Sequence, residues 1–528
     1  MSGIFTTFNT AKRGIFAQQN LINTTSHNVA NANTDGYSRQ RVQLAATPAY
    51  SMPGVGMVGT GVDISTITRI RDSYLDIQIR YETSITGQYR ARQEVLKQVE
   101  MIFMEPSEAG LNTLLGRMWD SWQELSKSPE NSNARTIVKE NTLVFTSSLN
   151  HMYEQLETLK ADSINLTEKK ALDVHSLLDQ IRSLNDQIYK VTIKGEIPND
   201  LMDQRDLLLD KLSEIIYFKT TEDQHGRISI ESGGRRLLDT LKGSEITQEI
   251  SVVRNVEFDG GTGSYLVTLV RGGDSINGVT TISIPESDYK AHYKDLLVEG
   301  AVILNSGSWD GSDVGTAGIR AFQMGHGELK GYQSIIAEVG EQQKQLDNFA
   351  KVLIAALNTI HQDGGGIEFF VGSGAADISV HPEIQDDVNK INAGKEPTGP
   401  DGDGERALAI AQLRNVRLDV EGIIEGEPIP YDDNTMTIDH MPGGTTFENY
   451  YKDIVARIGI NAQQADRMVD NQNALTAQLT QRRDSISGVS MDEEIANLVQ
   501  YQHAYQANSK VIATLTLMLD TLINGMGV

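Results

Sequence analysis

The sequence predicts an α+β multidomain protein with coiled-coil helices at both termini, an elongated helical bundle built from discontinuous segments, and an inserted β-rich domain. Three observations carry this reading. Apolar residues recur every seven positions at both ends: Phe8, Ile15, Ile22 and Val29, then Met491, Leu498, Tyr505, Ile512, Leu519 and Met526. Across much of 72–216 they recur at intervals of three and four, the period of an amphipathic helix. From Ile228 to Ile284 the period drops to two, between glycine-rich turns such as SGG, DGGTG and RGGD.

The termini come first. Ser2 can cap a helix running to about Ala30, a rod of roughly 40 Å at 1.5 Å per residue, which stops in NANTDGY, where Asn33, Asp35 and Gly36 supply turn chemistry. A second row at coiled-coil offset holds Ile4 and Ala11 at the start. At the end it holds Ile495 and Ile523, with polar Gln502, Ser509 and Thr516 between. Ser490 and Glu493 form a capping box before the last helix. Paired apolar rows bury themselves by supercoiling, so the two ends are expected to meet each other or copies of themselves.

Inside the chain, Val62, Ile64 and Thr66 alternate as in a short strand or extended linker. Helices follow between Asp72 and Met104, between Asn133 and Lys194, and through NDLMDQRDLLLDKLSEII. Val174, Leu177, Ile181, Leu184, Ile188 and Val191 read as the core stripe of a bundle rather than an intermolecular seam. Helix returns after Gly327 and again from Thr446 to Arg483. The expected division is a terminal domain of 1–65 and 488–528, and a bundle of 66–216, 328–365 and 445–487. A β-rich insert at 217–327 and a loop-rich insert at 366–444 complete it. Such nesting sends the chain outward and back, leaving its ends side by side.

Composition limits the function classes. A chain of 528 residues has room for roughly three or four domains. Its mean hydropathy of -0.31, with no run of about 18 apolar residues and no layout of a cleaved signal, predicts no membrane insertion. A formal charge of -25 argues against nucleic acid, because phosphate binding needs a basic face. Cysteine is absent, which excludes disulfides, a thiol nucleophile, an iron–sulfur cluster and cysteine zinc sites, and suits a chain that works outside the cell.

Catalytic chemistry finds little support. GxSxG, HExxH, Walker and dinucleotide motifs are missing, and neither a metal nor a cofactor is expected. His361 and Asp363 in NTIHQDGGG have the look of ligands, but a helix C-terminus followed by glycine accounts for them. Asp401, Asp403 and Glu405 resemble part of a calcium loop but lack its glycine and closing glutamate, and read as an acidic turn. No carboxylate pair stands out for glycoside hydrolysis.

At the turn closing the first helix, SHNVANANTDGYSRQ resembles the signature of the flagellar axial proteins, the rod, hook and hook-associated family. Ser26, Asn28, Ala30, Asn31, Thr34, Gly36 and Tyr37 occupy its positions, and Asp35 stands where the family often has proline. The stretch from Ser487 to Met526, with 199–213, 325–333, AALNTIH and GERALAIAQL, is similar to the hook–filament junction members of that family; the likeness fades in 219–320 and 421–445.

The resemblance implies a structural, non-enzymatic subunit, exported unfolded through the flagellar type III pathway to an extracellular place between hook and filament. It implies as partners copies of the chain itself, the hook protein, a second junction protein (hook-associated protein 3) on the filament side, and an export chaperone on the C-terminal helix. Phe8, Ile15, Ile22, Val29, Leu498, Tyr505, Ile512 and Leu519 would form the assembly interface, and Asn28, Asn31, Gly36 and Tyr37 the signature turn. Alone, such helices with polar seam positions are marginal in water, so the ends would fold when neighbours bury them. The alternatives are a hook or distal rod protein of the same family, or an axial protein carrying an enzymatic insert.

Overall fold

Both heptad segments lie on long helices: in the computed structural model α1 spans Ser2–Ala30 and the final helix Met491–Gly525. The structure describes residues 2–525 except 53, 55, 104–106, 108–109, 242–243, 307–308, 310–317 and 396–401. Met526 and Asp401 therefore lie outside the described residues. Past the first helix, β1 (Gln40–Ala46) pairs antiparallel with β4 (Val62–Arg69), from Gln40↔Arg69 to Ala46↔Val62. At its far end β2 (Tyr50–Met52) and β3 (Gly56–Val58) form a small hairpin.

The body is built on α2 (Ser73–Phe103), α3 (Leu111–Lys127), α4 (Ser132–Thr192), α5 (Asn199–Ile215), α6 (Glu328–Gln362) and α7 (Phe447–Ser487). The helix Met491–Gly525 is α8. Side-chain caps start three of them: Asp72 accepts from the Tyr74 and Leu75 amides, Asn131 from the Asn133 amide and Thr446 from the Asn449 amide. α3 adds to the helices expected from the sequence: Leu111, Leu114, Leu115, Met118, Trp119, Trp122 and Leu125 hold helical spacing and are all buried. Trp119 and Trp122 pack with Phe103, Phe145, Phe349, Phe447 and Tyr451 in the main core. Each such large side chain contributes about 2 kcal/mol by leaving water.

The stretch between α6 and α7 does not stand apart. Phe369, Phe370, Ile378, Val380, Ile410 and Leu413 join the same core as the bundle helices. Short helices Pro382–Asp386, Glu405–Gln412 and Val420–Ile424 carry the chain over it.

Between α5 and α6 lie two antiparallel sheets. One has β5 (Lys219–Glu222), β6 (Ile228–Ser232), β7 (Arg235–Asp239) and β8 (Glu245–Ile246) in sequence order. The other has β9 (Gln248–Asp259), β10 (Ser264–Arg271), β11 (Val279–Pro285), β12 (Val302–Ser306) and β13 (Arg320–Ala321), ordered β11-β10-β9-β12-β13. Alternation along β12 divides two cores: Val302 and Leu304 face the helices with Val174 and Leu178, and Ile303 faces outward with Val267 and Ile282. Two polar contacts stitch the sheet to α4. His175 Nε2 accepts from the Ile250 amide at 2.9 Å, and Arg254 grips the buried Glu168 carboxylate at 2.7 and 2.5 Å.

His361 and Asp363 serve the fold. Buried His361 accepts from the Asn392 amide on Nε2 at 2.8 Å, so Nδ1 carries the proton and donates to the Ile367 carbonyl at 2.7 Å. Asp363 accepts from the Tyr431 hydroxyl at 2.8 Å and lies beside Arg406. The Arg406 guanidinium, wholly buried, donates to the carbonyls of Ile360, Gly394 and Lys395, and so closes the C-terminus of α6 where cations are favoured. Asp403 accepts from the Lys395 and Glu405 amides at 2.7 and 3.0 Å, as an acidic turn does.

Burial pushes the His361 imidazolium down to about 4, helped by the charges of Arg406 and Arg135 against the opposing pull of the Ile367 carbonyl. The folded value lies below the unfolded one, so the neutral ring contributes its full stability above about pH 6.5, and that contribution is lost as pH falls toward 4. Between pH 7 and 4 the chain is expected to lose about 3 kcal/mol that a His361→Gln variant does not lose. Urea unfolding followed by tryptophan fluorescence checks this, since Trp122 lies 6.3 Å from the imidazole.

Candidate assembly interface and its anchoring joint

α1 and α8 pack antiparallel, but apart from Leu21 and Leu515 the large apolar residues are not their innermost ones. On α1 the buried positions are Ala11, Gly14, Ala17, Leu21, Thr24, Thr25 and Asn28, set against α8 and the β1–β4 hairpin. Phe8, Ile15, Ile22 and Val29 lie one position around the helix and are half-buried. On α8, Leu498, Ile512 and Leu519 are half-buried and Tyr505 is exposed.

The expected second row on α8 is corrected by one position. Ile495 and Ile523 face solvent at 50% and 72% exposure. The row that turns inward is Glu494, Tyr501, Asn508 and Leu515. The small side chains of α1 account for this: a Cβ on Gly14 would come within 2.9 Å of Asn508, so α1 has no bulk where Asn508 packs. Large residues are thereby pushed to the flanks. Phe5, Phe16, Val499, Leu517, Met518 and Ile523 all remain exposed, an apolar surface of the kind that marks an interface.

One amide ties the signature turn to both helices of the pair. Buried Asn28 donates from Nδ2 to the Gln40 carbonyl at 2.9 Å and to Glu494 at 3.1 Å. Its Oδ1 accepts from the Gln40 amide at 2.9 Å and the Tyr37 hydroxyl at 2.8 Å, so both donors and both acceptor positions are used. Burial, with the charges of Asp200, Asp203 and Glu494, raises the Tyr37 pKa and keeps the hydroxyl a donor. Asn31 donates to the His27 carbonyl at 3.0 Å and accepts from Thr34 at 3.2 Å, closing the turn. Gly36 has φ +77, and a Cβ there would stand 3.1 Å from that of Leu207 on α5.

Arg39 ties the turn to α8, reaching Glu494 at 2.6 Å and Glu493 at 2.8 Å. Glu493, expected to close a capping box with Ser490, thus turns to an arginine instead. A second joint was not read from the sequence. Asp203, Asp206 and Asp210 share one face of α5 at helical spacing. Asp203 receives the Ser38 amide at 2.9 Å and hydroxyl at 2.7 Å. Arg69 bonds Asp203 and Asp206, each at 2.7 Å; Arg80 and Arg483 bond Asp210 at 2.7 and 2.8 Å. Three segments distant in sequence, the β4 end, α2 and α7, converge on that row.

Burial alone would raise the Asp206 pKa, but Arg71, Arg69 and Arg80 outweigh it and hold the carboxyl below the usual range. Its contribution is therefore present at neutral pH and is lost only as pH falls through that depressed value. Asp206→Asn should cost about 3 kcal/mol by leaving buried arginines short of charge. Hydrogen exchange in β4 and α5 should then quicken about a hundredfold, with the α3 core unchanged.

A family model described as the flagellar hook-associated protein FlgK helical domain matches residues 96–373. Two more, the C-terminal region of flagellar basal body rod FlgEFG proteins and the flagella basal body rod protein, match 480–525 and 8–37. The chain is 32% identical over its whole length to flagellar hook-associated protein 1 of Bacillus subtilis, covering 99% of that protein. It is 26% identical to the Escherichia coli protein of the same name, across 98% of this chain and 99% of the other. The fold is similar to a solved structure titled flagellar hook junction protein FlgK from Burkholderia pseudomallei, with TM-score 0.54 and 14% identity, over 78% of this chain and 100% of that one. By the full-length likeness and a family match spanning more than half of its residues, this chain belongs to the flagellar hook-associated protein 1 (FlgK) family.

Proposed function

We propose that this chain is a structural subunit of the bacterial flagellum that joins hook to filament, assembling through its paired terminal helices. The observation that carries the reading is the α1–α8 pair: mostly small and polar residues meet inside it, with Leu21 and Leu515, and large apolar residues such as Phe5, Phe16 and Leu517 stay outside for neighbours to cover. In this reading 1–65 and 488–528 form the inner tube, with Phe8, Ile15, Ile22, Val29, Leu498, Tyr505, Ile512 and Leu519 at or beside the subunit contacts. The bundle (66–216, 328–365, 445–487) is the wall, 217–327 is the outer surface, and 366–444 is packed on the bundle. Asn28, Asn31, Gly36 and Tyr37 set the exit from the tube.

The partners follow from that place in the flagellar axis. They are further copies of the chain, the hook protein below, the second junction protein above, and an export chaperone on α8 before assembly, with an extracellular final location. A role without catalysis is supported by the work His361, Asp363 and Asp403 already do in the fold. The hook and distal rod alternatives are disfavoured by the full-length match to relatives named hook-associated protein 1.

A chain reduced to about residues 41–487 should remain a folded monomer and fail to restore motility to a deletion strain. Electron microscopy of that strain should show hooks without filaments. Polymerisation or rescue by the truncated chain would remove the terminal helices from the assembly role, and absence of hooks would favour the hook protein.

A further inference from the structure

The half-buried apolar rows that flank the α1–α8 contact do not by themselves fix its vertical alignment. A strict seven-residue repeat offers nearly the same apolar pattern after a slip of one heptad, so burial alone distinguishes the alignments weakly. Two contacts on the pair are not of that kind. At one, Asn508 sits against Gly14, where a Cβ would meet its Oδ1 at 2.9 Å. At the other, Glu494, only 2% exposed, receives the Asn28 amide at 3.1 Å and Arg39 at 2.6 Å. The two contacts are two heptads apart on both helices, Gly14 to Asn28 and Glu494 to Asn508.

We infer that these four residues set the register of the terminal helix pair: the Gly14 notch and the Asn28–Glu494 contact together admit one alignment and penalise its heptad-slipped neighbours. A slip that sets Leu21 against Asn508 would place Asn28 opposite Tyr501. Leu515 would then lie over Gly14, and Glu494 would pass beyond the end of α1. Buried Asn28 would then face Tyr501 with its bond to Glu494 gone, a loss the buried pair cannot replace from water, and the half-buried Asn508, bonded to the Ala504 carbonyl of its own helix, would meet Leu21 in place of the Gly14 notch. In the native alignment the Asn28 amide is complete. Polar seam residues that lower stability while fixing alignment are a known device of coiled coils. The consequence reaches outward, since the register sets the height of Phe5 and Phe16 relative to Val499 and Leu517 on the exposed side.

This is a property of the single chain, separate from the assembly reading, and the absence of cysteine makes it testable without background thiols. Leu21 and Tyr501 stand midway between the two contacts and report the native register. Leu21 and Asn508 report the slipped one. In the full-length chain, Leu21→Cys with Tyr501→Cys should form an intrachain disulfide under mild oxidation, and Leu21→Cys with Asn508→Cys should form about tenfold less, because Asn28 and Glu494 still hold the alignment. Adding Asn28→Leu and Glu494→Leu should raise the 21–508 link to within about twofold of the 21–501 link. Non-reducing gels and peptide mass spectrometry read both, and circular dichroism follows helix content.

Equal linkage at both pairs with Asn28 and Glu494 in place would overturn the inference. So would a doubly substituted chain that keeps the native link alone. Loss of both links in that chain would also overturn it, since the contacts would then hold the helices together without choosing between alignments.

Discussion

The placement of the terminal helices depends on arginine–carboxylate pairing between α5 and the segments that arrive from both ends of the chain. α5 contributes Asp203, Asp206 and Asp210; Arg69 comes from the first hairpin, Arg80 from α2 and Arg483 from α7. Each charge here is largely withdrawn from water, so its desolvation cost is met only if every partner is present. The joint is therefore close to all-or-none. The turn at Gly36 rests on Leu207 of the same helix, and Ser38 on Asp203, so the exit of α1 is referenced to the body rather than to a flexible linker.

The same logic appears on a smaller scale wherever the chain folds back on itself. Arg406 binds carbonyls from the end of α6 and from the loop before its own helix, and His361 receives the backbone of Asn392. These contacts explain why a segment rich in glycine, aspartate and proline packs into the main core. Backbone groups in loops must find partners once buried, and fixed cationic or imidazole groups supply them.

The helices and the β-rich insert could be read from periodicity because burial imposes it on the sequence. The inner face of the terminal pair could not. Apart from Leu21, its buried positions on α1, Ala11, Gly14, Ala17, Thr24, Thr25 and Asn28, carry little hydrophobic signal beside Phe8, Ile15 and Ile22. Heptad offset from large residues alone thus placed the second row of α8 at Ile495 and Ile523, one step from Glu494, Tyr501, Asn508 and Leu515. The α5 joint is legible only in half: the spacing of its aspartates shows a charged face, but nothing local pairs it with arginines more than a hundred residues away. The turn motif around Asn28 was recognisable by resemblance, whereas its four-way hydrogen bonding needed the fold.

A seam of small and polar residues carries a further consequence for stability. Close approach through Gly14 and Ala17 brings backbones together but buries little apolar area, so the isolated α1–α8 pair gains modestly at about 25 cal/mol per Å². Large apolar side chains lie exposed on the outside of the pair, in Phe5, Phe16, Leu517 and Ile523. Covering those side chains would add stabilisation that the pair lacks by itself. The pair's internal contacts specify geometry, and its external residues supply the driving force. In the proposed assembly, that separation would let one segment be weakly held as a monomer and firmly held in a polymer without any change in its own alignment.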